Sequence, residues 1–116
     1  MKELNLPHKE PIKFAKYIVS KEDTSAVVKV QFDEIPNLPM LVEAAAQSSA
    51  AFSNEENKMG FLVTLKNIKL LSKPYSFEYN IKVIFEHQLD SLVYFNFEVY
   101  DENVQIATGI FIIALQ

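Results

Sequence analysis

Few side chains in this sequence can exchange a proton near neutral pH, and their positions limit the chemistry open to it. Histidine occurs twice, at His8 and His87, and cysteine is absent. An imidazole titrates near pH ~6.5 and can serve as a base. Two histidines far apart do not make a multi-histidine metal site, and a chain without cysteine has no thiolate ligand, cysteine nucleophile or disulfide. His8 lies in the proline-bounded stretch LPHKEP, 6–11. There it is either a titrating base or an imidazole that pins the N-terminal segment through backbone hydrogen bonds. His87 falls in the polar run His87-Gln88-Leu89-Asp90 and reads as an exposed turn residue. Among the carboxylates, Glu43 is followed one helical turn later by Gln47, on the same face if the segment is a helix. Asp33 and Glu34 form an adjacent pair in a loop, and Lys58, Lys66, Lys69 and Lys73 form the basic cluster. The two glycines, Gly60 and Gly109, are too far apart to share a glycine-rich phosphate loop.

The elements that must position these groups are mostly strands. Ala26, Val28, Val30 and Phe32 alternate with polar residues over 25–32. Phe77, Tyr79, Ile81, Val83 and Phe85 do so over 77–86, and Val93, Phe95, Phe97 and Val99 over 91–100. Period-2 alternation marks strands with one buried face, as in an antiparallel sheet covered on one side. Segment 104–115 is apolar on both faces, which predicts a central strand or one lying against a partner. Segment 61–71 reads as a strand with mixed faces, and 14–20 as a further strand. Lys21-Glu22-Asp23, His87 to Asp90 and Asp101-Glu102-Asn103 supply hairpin turns, and Lys73-Pro74-Tyr75 separates 61–71 from 77–86. The one helix spans 39–53, PMLVEAAAQSSAAFS. It has good helix formers from Glu43 to Ala46, Asn37 or Leu38 as N-cap, and Pro39 in the first turn, where proline is tolerated. Its many small side chains let it sit close to a sheet. The order strand, strand, helix, four strands predicts an α+β hot-dog arrangement, a long central helix wrapped by a curved antiparallel sheet of five to six strands. No linker or repeat divides it, so 1–116 reads as a single domain.

Composition agrees with this and excludes other classes. The 116 residues are 49% hydrophobic and 22% charged, with 12% aromatic, which excludes a disordered or low-complexity chain. The net charge of -4, from 11 basic and 15 acidic residues, argues against nucleic-acid binding, which needs a basic face. The longest strongly apolar stretch near the end, IATGIFIIAL, is about half the roughly 20 residues a membrane helix needs. The opening MKELNLPHKEP does not read as a secretory signal. These features predict a cytoplasmic protein with no membrane association.

Three stretches resemble the 3-hydroxyacyl-ACP dehydratases of the FabA/FabZ type. LPHKEP, 6–11, is similar to the family's Leu-Pro-His-x-x-Pro opening. PNLPMLVEAAAQ, 36–47, resembles the run Pro-x-x-Pro-Gly-x-x-x-x-Glu-Ala-x-Ala-Gln at the start of its central helix. GFLVTLKNIKLL, 60–71, stands where the family has its first strand after the helix. Together with the strand order, the resemblance covers nearly the whole chain. It implies an acyl-thioester substrate on an acyl carrier protein or coenzyme A, no metal or redox cofactor, and a homodimer or higher homo-oligomer whose sheets join edge to edge. In the chemistry so implied, a base removes the C2 proton of a 3-hydroxyacyl thioester and an acid protonates the departing hydroxyl. A backbone N–H near the helix N-terminus polarises the thioester oxygen.

The sequence departs from the family at the base. Aligning Phe32 with the family's His-Phe-Pro phenylalanine puts Gln31 at the histidine position, and counting back from Glu43 puts Lys29 there. Gln31 can hydrogen-bond but cannot exchange a proton near neutral pH. The glycine before the helix is replaced by Met40. The pattern is closer to the small dehydratase-like (ApeP-like) proteins found with aryl-polyene biosynthesis, many of which lack His-Phe-Pro. On this resemblance Glu43 is the acid or orienting group and His8 the candidate base. The Met40 or Leu41 amide is the oxyanion donor, and Gln31, Gln47 and Gly60 line the substrate site. For Gln31 a polar strand end remains equally open, for Gln47 a hydrogen bond across helix and sheet, and for Glu43 a first-turn carboxylate favoured by the helix dipole. The acyl chain is expected between helix 39–53 and the sheet. The lysine cluster would meet an acidic carrier protein or be ordinary solvated surface. The two other readings are a non-catalytic acyl-carrier-binding or scaffold subunit that has lost its base, and a hot-dog thioesterase using Asp33 or Glu43.

Overall fold

The computed structural model describes residues 2–3, 13–52 and 60–115. His8 and Lys58 lie outside the described residues. The strands are β1 (Lys2–Glu3), β2 (Ala15–Lys21), β3 (Ser25–Gln31), β4 (Gly60–Leu70), β5 (Glu78–Leu89), β6 (Leu92–Asp101) and β7 (Val104–Leu115). Among the described residues one α-helix, α1 (Leu38–Ser48), lies between β3 and β4. All strand pairs are antiparallel and the sheet runs β1-β2-β3-β5-β6-β7-β4, open at both edges.

The alternation seen in the sequence places the core. Val28 and Val30 on β3, Tyr79, Ile81 and Val83 on β5, Val93, Phe95, Phe97 and Val99 on β6 and Phe111 on β7 turn their side chains to the helix and are buried. Registers such as Val28 opposite Ile81 and Phe97 opposite Gly109 keep these residues on one face. Each fully buried aliphatic or aromatic side chain contributes about 1.5–3 kcal/mol, so the inward face of four central strands supplies most of the stabilisation. The doubly apolar β7 is an interior strand between β6 and β4.

The helix begins where Asn37, in extended conformation (φ -95, ψ 175), accepts a 2.9 Å hydrogen bond from the Met40 amide. Pro39 sits in the first turn, as expected. It ends sooner than 39–53. The Ser48 and Ser49 hydroxyls donate back to the Ala44 and Ala46 carbonyls at 2.7 and 2.6 Å, and residues 49–52 tighten into a 3₁₀ turn. Serine hydroxyls compete in this way with regular helix propagation.

Two turns also differ from expectation. His87 belongs to β5, not to a turn, because the β5–β6 ladder continues past a bulge after Phe85 until Leu89 pairs with Leu92. The His87 ring stacks on Tyr94 with 4.2 Å between centroids. Only Asp90 and Ser91 turn the chain there, and Glu102 and Asn103 do so between β6 and β7. In both turns the first residue has positive φ, 55 at Asp90 and 54 at Glu102.

Candidate functional site

The candidate residues cluster on α1, and its exposure pattern sorts them. Leu41, Val42, Ala44, Ala45, Gln47 and Ser48 are buried on the sheet, whereas Met40, Glu43, Ala46 and Ala50 form a half-exposed stripe at helical spacing. Glu43 sits in the middle of that stripe. The first turn of α1 holds no acidic residue. Glu43 lies beyond it, and the helix dipole's influence falls off within that turn. Dipole stabilisation therefore does not account for the carboxylate here.

Gln47 faces the other way. It is 4% exposed, and its Oε1 accepts the Phe14 and Ala15 amides at 2.8 and 3.1 Å. The side chain ties the start of β2 to the middle of the helix, satisfying amides that would otherwise be buried without partners. Leu41 contributes a fully buried side chain, and its amide makes the first helical hydrogen bond, to the Asn37 carbonyl at 3.1 Å.

Gln31 ends β3 on the sheet face opposite the helix, because Val30 and Phe32 take the inner face. Its Nε2 donates to Glu78 Oε1 at 2.7 Å, and Lys29 Nζ lies 4.0 Å from the other oxygen of that carboxylate. Gln31 and Glu43 thus lie on opposite sides of the sheet within one chain. Gly60 opens β4 opposite Leu115. Of the proposed site residues, then, the structure gathers Met40, Leu41 and Glu43 at the N-terminal half of α1 and places Gln31 on the far face of the sheet.

The surface between helix and sheet is taken up by the core. Ala44, Ala45 and Ser48 are fully buried there, so these small residues serve close packing. Several apolar side chains of β4 are left open. Leu62 and Leu65 pair with Ile113 and Phe111, which places them on the inner face, yet they are 37% and 46% exposed.

A polar cluster that the sequence reading missed ties the β4–β5 crossover to the end of β6. Ser76 Oγ donates to Asp101 Oδ2 at 2.6 Å, and the Tyr79 hydroxyl accepts the Ser76 amide at 3.0 Å and donates to its carbonyl at 2.8 Å. The Asp101 carboxylate, assisted by desolvation and by Glu102, pushes the exposed Tyr75 phenol up. The partners Ser76 and Asp101 are far apart in sequence, so no local pattern announces them. Asp33, Glu34, Lys66, Lys69 and Lys73 are exposed. Among the described residues no group of three His, Cys, Asp or Glu is placed to hold a metal ion, and no helix is long and apolar enough to cross a membrane.

No protein-family model matches the chain, and no curated protein is similar to it in sequence at a significant level. Solved structures match it closely in shape at low identity. The dehydratase heterocomplex ApeI:P from Xenorhabdus doucetiae has a TM-score of 0.78 at 15% identity, over 96% of this chain and 88% of that one. A hypothetical thioesterase with coenzyme A from Streptococcus pneumoniae has a TM-score of 0.68 at 16% identity, over 86% and 84%. The PaaI protein of the E. coli phenylacetic acid degradation operon has 0.68 at 15%, over 84% and 80%. A helix wrapped by an open antiparallel sheet in this strand order, matched in shape by these proteins, is the hot-dog fold, and the chain has it.

Proposed function

We propose that the chain binds acyl thioesters, carried on an acyl carrier protein or on coenzyme A, at a dehydratase-like site that lacks the family's usual base. The observation that carries this reading is Glu43, a carboxylate in the middle of the half-exposed stripe of α1, one turn after Met40 and past the first turn of the helix. The fold supports the substrate class, since its structural neighbours include a dehydratase heterocomplex and a thioesterase solved with coenzyme A. In this reading Glu43 holds or protonates the 3-hydroxyl of the acyl group, and His8 is the candidate for the proton at C2. The acyl chain lies along the inner face of β4, against Leu62 and Leu65, instead of beneath the helix.

A binding role without turnover is favoured by a separate observation. Gln31, at the position of the family's base, is turned to the opposite sheet face and engaged by Glu78. We also infer a homodimer joined through β4, whose apolar residues are exposed on both faces at the sheet edge. The exposed Lys66, Lys69 and Lys73 lie on or just after this strand and would face an acidic carrier.

Calorimetric titration with acyl-coenzyme A and acyl-carrier thioesters tests the reading, with an enoyl-thioester hydration assay run in parallel. Saturable binding is expected, weakened about tenfold or more in Glu43→Ala, because a hydrogen bond to a charged group is worth ~1.5–3 kcal/mol. The reading fails if neither thioester binds, or if Glu43→Ala binds as the wild type does. Release of free thiol would replace it with a thioesterase.

A further inference from the structure

Segment 104–115 is apolar on both faces, and the place of β7 inside the sheet accounts for only one of them. An interior strand has strands on either side, but its outer face still points away from the helix. In a sheet covered on one side that face is expected to be polar. The outer face follows this rule over β3, β5 and the C-terminal half of β6, where Lys29, Gln31, Glu78, Lys82 and Glu98 lie. It breaks the rule over the rest of β6, β7 and β4. The register sets Leu92, Ala114 and Phe61 side by side in one row, and Tyr94, Ile112 and Thr64 in the next. A third row, Asn96, Ile110 and Lys66, closes the patch, with Asn96 donating to Glu86 at its border. Ile112 is 5% exposed, yet it does not belong to the core cluster packed under α1. Leu92, Tyr94, Ile110 and Ala114 are partly exposed, and Phe61 is 51% exposed.

The size of this patch indicates what can cover it. Strands about 4.8 Å apart and rows about 7 Å apart give about 14 by 20 Å, on the order of 300 Å². Phe61 and Thr64 belong to the edge strand, so joining two copies through β4 sets their patches side by side on one face of a continuous sheet. The merged surface, on the order of 600 Å², is at the top of what a soluble molecule leaves bare. Two such pairs laid face to face bury at most about 1,200 Å² in total, the low end of specific interfaces. A lone copy on a lone copy falls far short of that.

We propose that the outer face of β6, β7 and β4 is a docking surface for a second β4-joined pair, so that two dimers stack sheet on sheet into a tetramer. A two-fold axis in the plane of the sheet, crossing the β4 junction at right angles to the strands, lays the Phe61 row of one dimer over the Ile112 row of the other. The assembly then closes with point-group symmetry. Lys66 stays at the border of the apolar overlap. The proposal rests on the β4 homodimer. Its contact is small, so stacking is weak and the dimer remains the species in dilute solution.

Sedimentation of the full chain over a concentration series tests it. A dimer is expected at about 1 μM and a tetramer by about 1 mM, since interfaces at the low end of the size range are weak. Leu92→Lys and Ala114→Lys each place an ammonium in the overlap without altering β4 or the core. Burying that charge unpaired is unfavourable, so both variants should stay dimeric throughout the series, with circular dichroism unchanged. A wild type that is dimeric at every concentration would overturn the stacking and leave the β4 dimer standing. A tetramer that persists in both folded variants would overturn it as well. A wild type that is monomeric at every concentration would overturn the β4 dimer, and the stacking with it.

Discussion

Gly109 is the residue where the fold tolerates no side chain. It lies on the inner face of β7 opposite Phe97, and a Cβ there would come within 2.4 Å of Ile68 Cδ1 and 2.8 Å of the Phe97 ring. The methyl end of Ile68 can rotate away. The Phe97 ring cannot, because it is fully buried and packs against Phe111 at 5.9 Å between centroids. Ile68 reaches Gly109 because β4 bulges just before it, with Asn67 at φ 53, a conformation that asparagine adopts more readily than most residues. Gly109→Ala should therefore overpack the site and destabilise the protein by about 1–3 kcal/mol. Urea denaturation measures this, and an alanine variant as stable as the wild type would show that the ring yields. The sequence told little of this, because one glycine in an apolar run looks like any weak point of a strand. Single-residue readings succeeded where chemistry was local. Pro39 in the first turn follows from propensity alone, and of the two candidate caps, Asn37 and Leu38, the structure selects Asn37. The bond between Gln47 and the β2 amides was one of two open readings, and only the tertiary distance decides it.

At the scale of elements, the crossover between β4 and β5 is held by side chains together with backbone bonds, Leu71 and Ser72 donating to the Ile106 carbonyl and Phe32 to that of Phe77. Tyr79 sends its ring into the core, where it meets Phe32 edge-on at 5.9 Å, and its hydroxyl bonds both backbone groups of Ser76. Burial pushes this phenol above its ordinary value of 10.0, against the lowering effect of the Ser76 hydrogen bond and with help from Asp101. A phenol whose folded pKa is raised holds its proton longer in the folded chain than in the unfolded one. Its contribution to stability is complete below about pH 10 and is lost as pH rises through the folded value. Tyr75, raised chiefly by Asp101, and Tyr100, raised chiefly by burial and then by Glu98, act in the same direction. Tyr79→Phe should cost about 0.5–1.5 kcal/mol at neutral pH through the lost hydrogen bonds, yet lose less stability than the wild type above pH ~10. Urea melts across the alkaline range check this, and parallel curves for the two proteins would sink it. Strand and helix identities were legible because their periodicity is strong. Their ends were not, since β5 outlasts its polar run through pairing with β6 and α1 stops early at its serines.

For the whole molecule the decisive surface is β4. Phe61, Val63 and Leu65 are 51%, 51% and 46% exposed at the sheet edge, where among the described residues no strand pairs with one row of backbone N–H and C=O groups. A long apolar edge strand is an aggregation hazard unless something covers it. The segment Gly60 to Leu65 carries no charge, while Lys66 and Lys69 follow it on the outer face. Antiparallel pairing with the same segment of a second copy would cover both uncharged stretches, extend the sheet across the pair, and leave the lysines at its flanks. It would also cover the exposed inner-face leucines, which the chain's own helix leaves open. The mixed faces of 61–71 were visible in the sequence, but its place at the edge was not, because strand order depends on contacts between distant segments. A dimer is the expected state in sedimentation and light-scattering measurements. Leu65→Lys should shift it to monomer, since burying an unpaired ammonium in an apolar interface is strongly unfavourable. The core does not use this half-exposed side chain, so the variant should keep its fold, and unchanged circular dichroism at half the mass is the signature to look for. A wild type that sediments as a monomer, or a Leu65→Lys variant that remains dimeric, would place the interface elsewhere and leave β4 to be covered by some other surface.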